Sequence, residues 1–293
     1  MASRAGTNPA PMTEPKHHFT VDVEEYFHAS ALERFLPRSS WGGLETRLPH
    51  VLPRLLGSLE ANGTTGTFFV LGLVARRHPD LVRHLASNGH EVASHGWDHR
   101  RVTELSPQEF RSQVRDSRSL LQDITGQPIH GFRAPSFSIV PGGEWALEIL
   151  VEEGYGYDSS LYPVRRPGYG YPGGRRDVHR LKLKAGDLME VPPATLRVGA
   201  ANLPAGGGGT FRQFPYAVTR AAFRGASYRQ EPTTFYLHPW EMDPEHPVVH
   251  GIPWHTRLRH YRGLDRVDPR LSALLEDFRF QPIERTLRAR GCL

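Results

Sequence analysis

A chain of 293 residues, 38% hydrophobic and 23% charged, can bury a sizeable core, which excludes a wholly disordered or fibrous polymer. The net charge of +5 is carried almost wholly by arginines scattered among acids, without the dense basic clusters of a nucleic-acid binder, so no nucleic-acid partner is expected. Cys292 is the only cysteine, which excludes an intrachain disulfide.

Met1 to His18 is polar and rich in Pro, Ala and Thr. It reads as a disordered tail, without the apolar centre of a secretory signal. The longest apolar run, Thr67 to Ala75, is too short to span a bilayer, so no transmembrane segment is expected and the chain as given is placed in the cytoplasm. Phe19 to Val23 is a short β-rich run ending at acids. Leu44 to Glu60 has helical spacing and stops at Asn62-Gly63. Thr67 to Leu71 is strand-like, Pro79 to Ser87 helical, and Glu91 to Ser94 the next strand. Ser106-Pro107-Gln108-Glu109 opens a helix that runs to Ile124, with Pro at the first helical position. Gly131 to Arg133 is a strand, Glu144 to Glu153 a helix, and Leu188 to Val191 and Thr233 to Leu237 are strands. Residues 162–187 and 199–212 are rich in Gly, Pro and Arg and read as long loops. Strands alternating with helices imply an α/β fold with a parallel sheet.

Two imidazoles, His95 and His99, follow the strand at Glu91 to Ser94 with i,i+4 spacing. On a helical turn that spacing puts their Cβ atoms ~5–6 Å apart, close enough to share one ion. Zinc accepts nitrogen and carboxylate ligands, and a catalytic site keeps one position open. Asp22 and Glu24, His95, Arg133 and His238 all fall where a strand is expected to end, as active-site groups do in parallel α/β folds.

Four segments together resemble the polysaccharide deacetylases, the carbohydrate esterases with a NodB-type domain. They are Thr20-Val21-Asp22-Val23-Glu24-Glu25-Tyr26-Phe27, Ser94-His95-Gly96-Trp97-Asp98-His99, Phe132-Arg133-Ala134-Pro135-Ser136-Phe137 and Phe235-Tyr236-Leu237-His238-Pro239-Trp240-Glu241. A narrower resemblance, to the branch associated with exosortase and exopolysaccharide gene clusters, rests on three runs. These are Val21 to Phe27, Gly207-Gly208-Gly209-Thr210-Phe211-Arg212 and Leu237 to Pro244. The resemblance implies a distorted (β/α)7-type barrel over residues 19–290, with about 200–290 as an integrated C-terminal extension.

It also implies a metal-dependent hydrolase that removes N-acetyl groups from amino sugars of an exopolysaccharide or its lipid-linked precursor. By the same resemblance Asp22 is the general base, Arg133 orients it, and His238 is the acid that protonates the leaving amine. His95 and His99 are metal ligands, the metal being a divalent ion and by preference Zn2+. The family's second aspartate is replaced by Val23, which cannot ligate; Glu24, or failing it Glu25, takes that place. Trp97, Pro135, Phe137, Arg212 and Trp240 are candidate substrate contacts. The loops around Tyr162, Tyr169, Tyr171 and Gly206 to Gly209 are a candidate mobile rim for an extended glycan. His17, His18, His179, His246 and His250 read as surface or loop residues. The rival readings are a cyclic imide or ureide amidohydrolase of the same fold and a metal-free carbohydrate-binding protein. Homo-oligomerisation is left open.

Overall fold

The computed structural model describes residues 16–166 and 168–293. The chain forms strands β1 (His17–Val23), β2 (Thr67–Val70), β3 (Glu91–Ser94), β4 (Gly131–Phe132), β5 (Tyr157–Asp158) and β6 (His179–Leu183). They are followed by β7 (Gly186–Glu190), β8 (Thr195–Val198), β9 (Ala201–Pro204), β10 (Thr234–Leu237) and β11 (Phe280–Gln281). Helices α1 (Leu48–Ala61), α2 (Gly72–Arg77), α3 (Pro79–Ser87), α4 (Pro107–Thr125) and α5 (Trp145–Glu152) lie between the early strands. Helices α6 (Gly208–Gln213), α7 (Tyr216–Tyr228), α8 (Trp254–Tyr261), α9 (Val267–Asp277) and α10 (Ile283–Ala289) follow.

The main sheet runs β10-β1-β2-β3-β4-β5-β7-β6, all neighbours parallel except the β6–β7 hairpin. Past β7 the chain returns to β10 through bridges at Pro193–Thr234 and Gly207–Tyr236. This brings the two sides of the parallel array together, giving an α/β fold of the distorted (β/α)7 type. Its strands are buried on both faces, as parallel strands wrapped by helices are. On β1 the apolar residues Phe19, Val21 and Val23 join the main core with Leu52, Leu55, Phe235 and Phe280. The alternate residues Thr20, Asp22 and, one step past the strand, Glu24 take the other face. Val23 is thus a core residue, and the carboxylate-x-carboxylate spacing places both acids on one side.

Local capping explains two boundaries. Ser106 accepts from the Glu109 N–H, and Glu109 accepts from the Ser106 N–H, the reciprocal capping expected at the start of α4. Helix α1 begins at Leu48 rather than at the expected Leu44, because Glu25 accepts from the N–H groups of Arg47 and Leu48 and sets the start there.

Several expectations are overturned. Residues 1–15 of the expected tail lie outside the described residues, but His17 and His18 are buried in β1, not on the surface. Their rings bond Ser227, Thr234 and Thr286 hydroxyls. His246 is likewise buried. The expected loops contain β6, the start of β7, and β9, each paired in a hairpin. Gly206 to Gly208 is no mobile rim: it is buried and lies against the β10 backbone. A Cβ on Gly207 would fall 1.7 Å from the Tyr236 carbonyl oxygen, at a φ of +146°, a position open only to glycine.

Candidate active site

The carboxyl ends of β1, β3, β4 and β10 deliver the candidate groups to one place. Glu24, His95 and His99 each offer a ligand atom, and the three atoms lie within 4.8 Å of one another, all buried. The His pair is not on a helical turn. It sits on a loop bent by left-handed backbone at Gly96 (φ 76°) and His99 (φ 59°). A non-glycine residue held there costs of order 1–3 kcal/mol, and such strain collects at functional sites. Ser136 and Phe137 (φ 56° and 51°), in the loop after Arg133, carry the same strain.

Each donor is aimed. His95 Nδ1 donates to the Arg133 carbonyl oxygen at 2.8 Å, which leaves Nε2 as its free lone pair. His99 Nε2 stands 2.7 Å from Glu24 Oε2, an oxygen that is buried without a hydrogen-bond partner among the described residues. Glu24 Oε1 accepts the Trp240 indole N–H at 3.2 Å. Burial raises the Glu24 carboxyl, but the imidazoles of His99 and then His238 outweigh it and hold it well below the usual range. Burial pulls the His95 imidazole down to about 4, so it is neutral and able to ligate. Two ring nitrogens and a buried carboxylate oxygen gathered in one place fit a divalent cation. Glu25 is not part of this group: its carboxylate is spent on Thr46 and the start of α1.

Asp22 stands beside the cluster. Its Oδ1 accepts from Arg133 NH1 at 2.8 Å. The Arg133 guanidinium is fully buried, lies 4.1 Å from the Phe69 ring centroid and 5.4 Å from that of Phe137, and also bonds Thr20 and Ser159. With every edge held, Arg133 cannot swing, and it fixes the orientation of Asp22. The second Asp22 oxygen, Oδ2, lies 3.8 Å from His238 Nε2.

His238 is the most open of these groups, with 19% of its side chain exposed. Its Nδ1 donates to Glu241 Oε2 at 2.9 Å, and Glu241 Oε1 accepts from Arg212 Nε at 2.6 Å. Burial lowers the His238 imidazole, but the carboxylates of Glu241 and then Glu24 outweigh it and lift it to about 9. Burial raises Glu241, but His238 and Arg212 bring it down to about 2. Glu241 is the functional residue that sequence reasoning passed over. The signal was its i,i+3 spacing from His238, which the Pro239–Met242 turn converts into contact.

The expected substrate contacts divide. Arg212 is buried beneath His238 and bonded to Glu241 and to the carbonyls of His260 and Arg262, so it supports the site from behind and does not face a ligand. Trp240 and Pro135 are buried; Trp240 stacks on His238 with ring centroids 5.6 Å apart. Phe137 packs on Arg133, Tyr162 and Tyr236. Trp97 is half-buried against Gly72 and under Arg76. Tyr162 is fully buried, and Tyr171 is tied to Glu144, which removes both from the expected rim.

Residues 43–141 match a family described as polysaccharide deacetylase, and residues 159–288 match one described as a domain of unknown function, DUF3473. His95, His99 and Arg133 fall in the first segment and His238 in the second. A peptidoglycan-N-acetylglucosamine deacetylase, PgdA, of Listeria monocytogenes is 38% identical over 76 residues, covering 26% of this chain and 16% of that protein. A chitooligosaccharide deacetylase of Azorhizobium caulinodans is 28% identical over 103 residues, covering 35% of this chain and 46% of that protein. The chain thus spans less than half the length of these relatives. The crystal structure of a putative polysaccharide deacetylase from Mycobacterium smegmatis superimposes with a TM-score of 0.61 at 21% identity, covering 98% of this chain and 96% of that one. The Puue allantoinase has the same fold, with a TM-score of 0.54 at 16% identity over 90% of this chain and 89% of that one. Among the described residues no helix is long and apolar enough to cross a membrane. By the matched segment and the four motifs converging on one strand-end site, residues 43–141 of this chain belong to the polysaccharide deacetylase family.

Proposed function

We propose that this protein is a metal-dependent N-deacetylase that hydrolyses the acetamide of N-acetylated amino sugars in an exopolysaccharide or its lipid-linked precursor. The observation that carries the reading is the buried Glu24–His95–His99 cluster with Asp22 and His238 beside it. Glu24, His95 and His99 would hold the ion, by preference zinc. When bound, a divalent ion there would polarise the acetamide carbonyl and lower the pKa of the attacking water.

The protein's own groups supply the rest. Asp22 Oδ1 is committed to Arg133, so Oδ2 is the atom that receives the water proton. His238 Nδ1–H is committed to Glu241, so Nε2–H is the proton given to the departing nitrogen. The raised His238 pKa keeps that proton in place at neutral pH. Trp240 and Arg133 hold Glu24 and Asp22 in position.

Acetate release from a panel of N-acetylated glycans, with and without chelator, tests the reading. Chelator-sensitive acetate release from amino sugars supports it. Release from none of them, or ring opening of a cyclic ureide in its place, would sink it.

A further inference from the structure

Beside the metal cluster lies a second feature on the same end of the barrel. A cleft of about 380 Å³ opens between the Tyr26–His28 turn, which follows β1, and helix α2, which follows the neighbouring β2. Its lining includes His28, Trp41, Leu73, Arg76, Arg77 and His78. His28 joins the cleft to the candidate active site: its ring lies parallel to that of His99, with centroids 6.2 Å apart.

The protonation of His28 follows from one hydrogen bond. Its Nδ1 accepts the Glu25 backbone N–H at 3.0 Å. A ring nitrogen that accepts carries no proton, so Nε2 carries it. That Nε2–H has no hydrogen-bond partner among the described residues, although His28 is only 5% exposed. The Nε2 atom itself reaches the cleft surface, where water or a ligand acceptor can meet it.

The cleft is also electropositive. Among the described residues, neither Arg76 nor Arg77 forms an ion pair. The Glu25 carboxylate, which also lines the cleft, is turned onto Thr46 and the α1 N–H groups. Arg76 is held over the Trp97 ring, 5.5 Å from its centroid. Both arginines sit in the last turn of α2, where they favourably meet the helix dipole. That role accounts for their charge but not for the unpaired His28 donor beside them.

We propose that this cleft is a subsite for an anionic sugar residue next to the one that is deacetylated. Trp41 and Leu73 supply its apolar wall, His28 Nε2–H donates to a sugar oxygen, and Arg76 and Arg77 bind a carboxylate or phosphate. The inference rests on the deacetylase reading for its substrate class, which becomes an N-acetylated glycan carrying an acidic sugar. Two sources of the anion, a uronate and a glycosyl phosphate, share this chemistry.

Calorimetric titration of the full chain separates them, with a hyaluronan tetrasaccharide, N-acetylglucosamine 1-phosphate and neutral chitotetraose as probes. At least one anionic probe should bind about ten-fold more tightly than chitotetraose, as a charge-assisted contact gives, and about 0.5 M NaCl should weaken that preference. R76A/R77A should abolish the preference and leave chitotetraose binding and its acetate release close to the wild type. Equal affinity for all three probes, failure of both anionic probes to bind, or a preference that survives in R76A/R77A would overturn the subsite. H28N should weaken the preferred probe further; the arginine variant decides the matter if H28N does not fold. A protein that releases no acetate from any glycan but passes the binding comparison would retain the cleft and lose the deacetylase reading.

Discussion

Glu241 Oε2 lies 2.9 Å from His238 Nδ1, on the side of the imidazole away from Asp22 and Glu24, whose nearest oxygens face Nε2. The ring is therefore charged from both sides, and the two sides can be tested separately. A divalent ion on Glu24 would offset that carboxylate's pull, whereas Glu241 is untouched by it. His238 must be protonated to act, so its raised pKa extends activity upward: turnover is kept below the pKa and lost as pH rises through it. The alkaline limb of kcat against pH should lie above the ordinary imidazole value of 6.5. E241Q should move that limb down by about one unit or more. An unmoved limb would show that His238 is not the titrating acid.

Asp22→Asn should bind metal as the wild type does and lose turnover by about 10²–10⁴-fold, because the amide cannot accept the water proton. His238→Ala should do the same. Metal content by elemental analysis, read beside acetate release, checks both. Near-normal turnover in either variant would mean that its role is misassigned.

The ligand set makes a separate prediction. H95A/H99A removes both nitrogens of the three-donor cluster and should abolish stoichiometric zinc binding. Glu25→Gln should leave zinc bound, since Glu25 serves α1, but should lower the melting temperature by weakening that helix start. Zinc retained by the double histidine variant would refute the site.

Arg212 and Glu241 form an ion pair with side chains 4% and 1% exposed. Breaking a buried pair from one side leaves the other charge unmatched, at a cost of about 3–5 kcal/mol. R212M should lower thermal stability by that order and also depress kcat, because a freed Glu241 no longer fixes His238. R212K should restore part of both, measured by calorimetry and by turnover with a small N-acetyl sugar.

The glycine run gives the last prediction. Gly207→Ala should destabilise the fold by about 3 kcal/mol or more, since its Cβ has no room beside β10. Long and short substrates should lose activity together, in step with the loss of folded protein. A selective loss on long glycans would restore the substrate-rim reading of this segment.

How much of this was legible in the sequence depends on the range of the interaction. The α/β pattern, the helices at 79–87 and 107–125 and the strand ends carrying Asp22, His95, Arg133 and His238 follow from periodicity, capping and the four motifs, all of which are local. The choice of Glu24 over Glu25 is half local: period-two alternation puts Asp22 and Glu24 together. That Glu25 is occupied elsewhere depends on Thr46, Arg47 and Leu48, some 21–23 residues away. Only the tertiary structure decided that Arg212 is a buried strut, that Gly206 to Gly208 is packed against β10, and that His17 and His18 belong to β1. Each depends on a partner brought from another part of the chain: Glu241 and the α8 carbonyls, Tyr236, and Ser227, Thr234 and Thr286. A polar residue or a glycine run looks the same in sequence whether it meets solvent or a distant strand. Tertiary packing makes the difference, because it buries the groups that must then be paired.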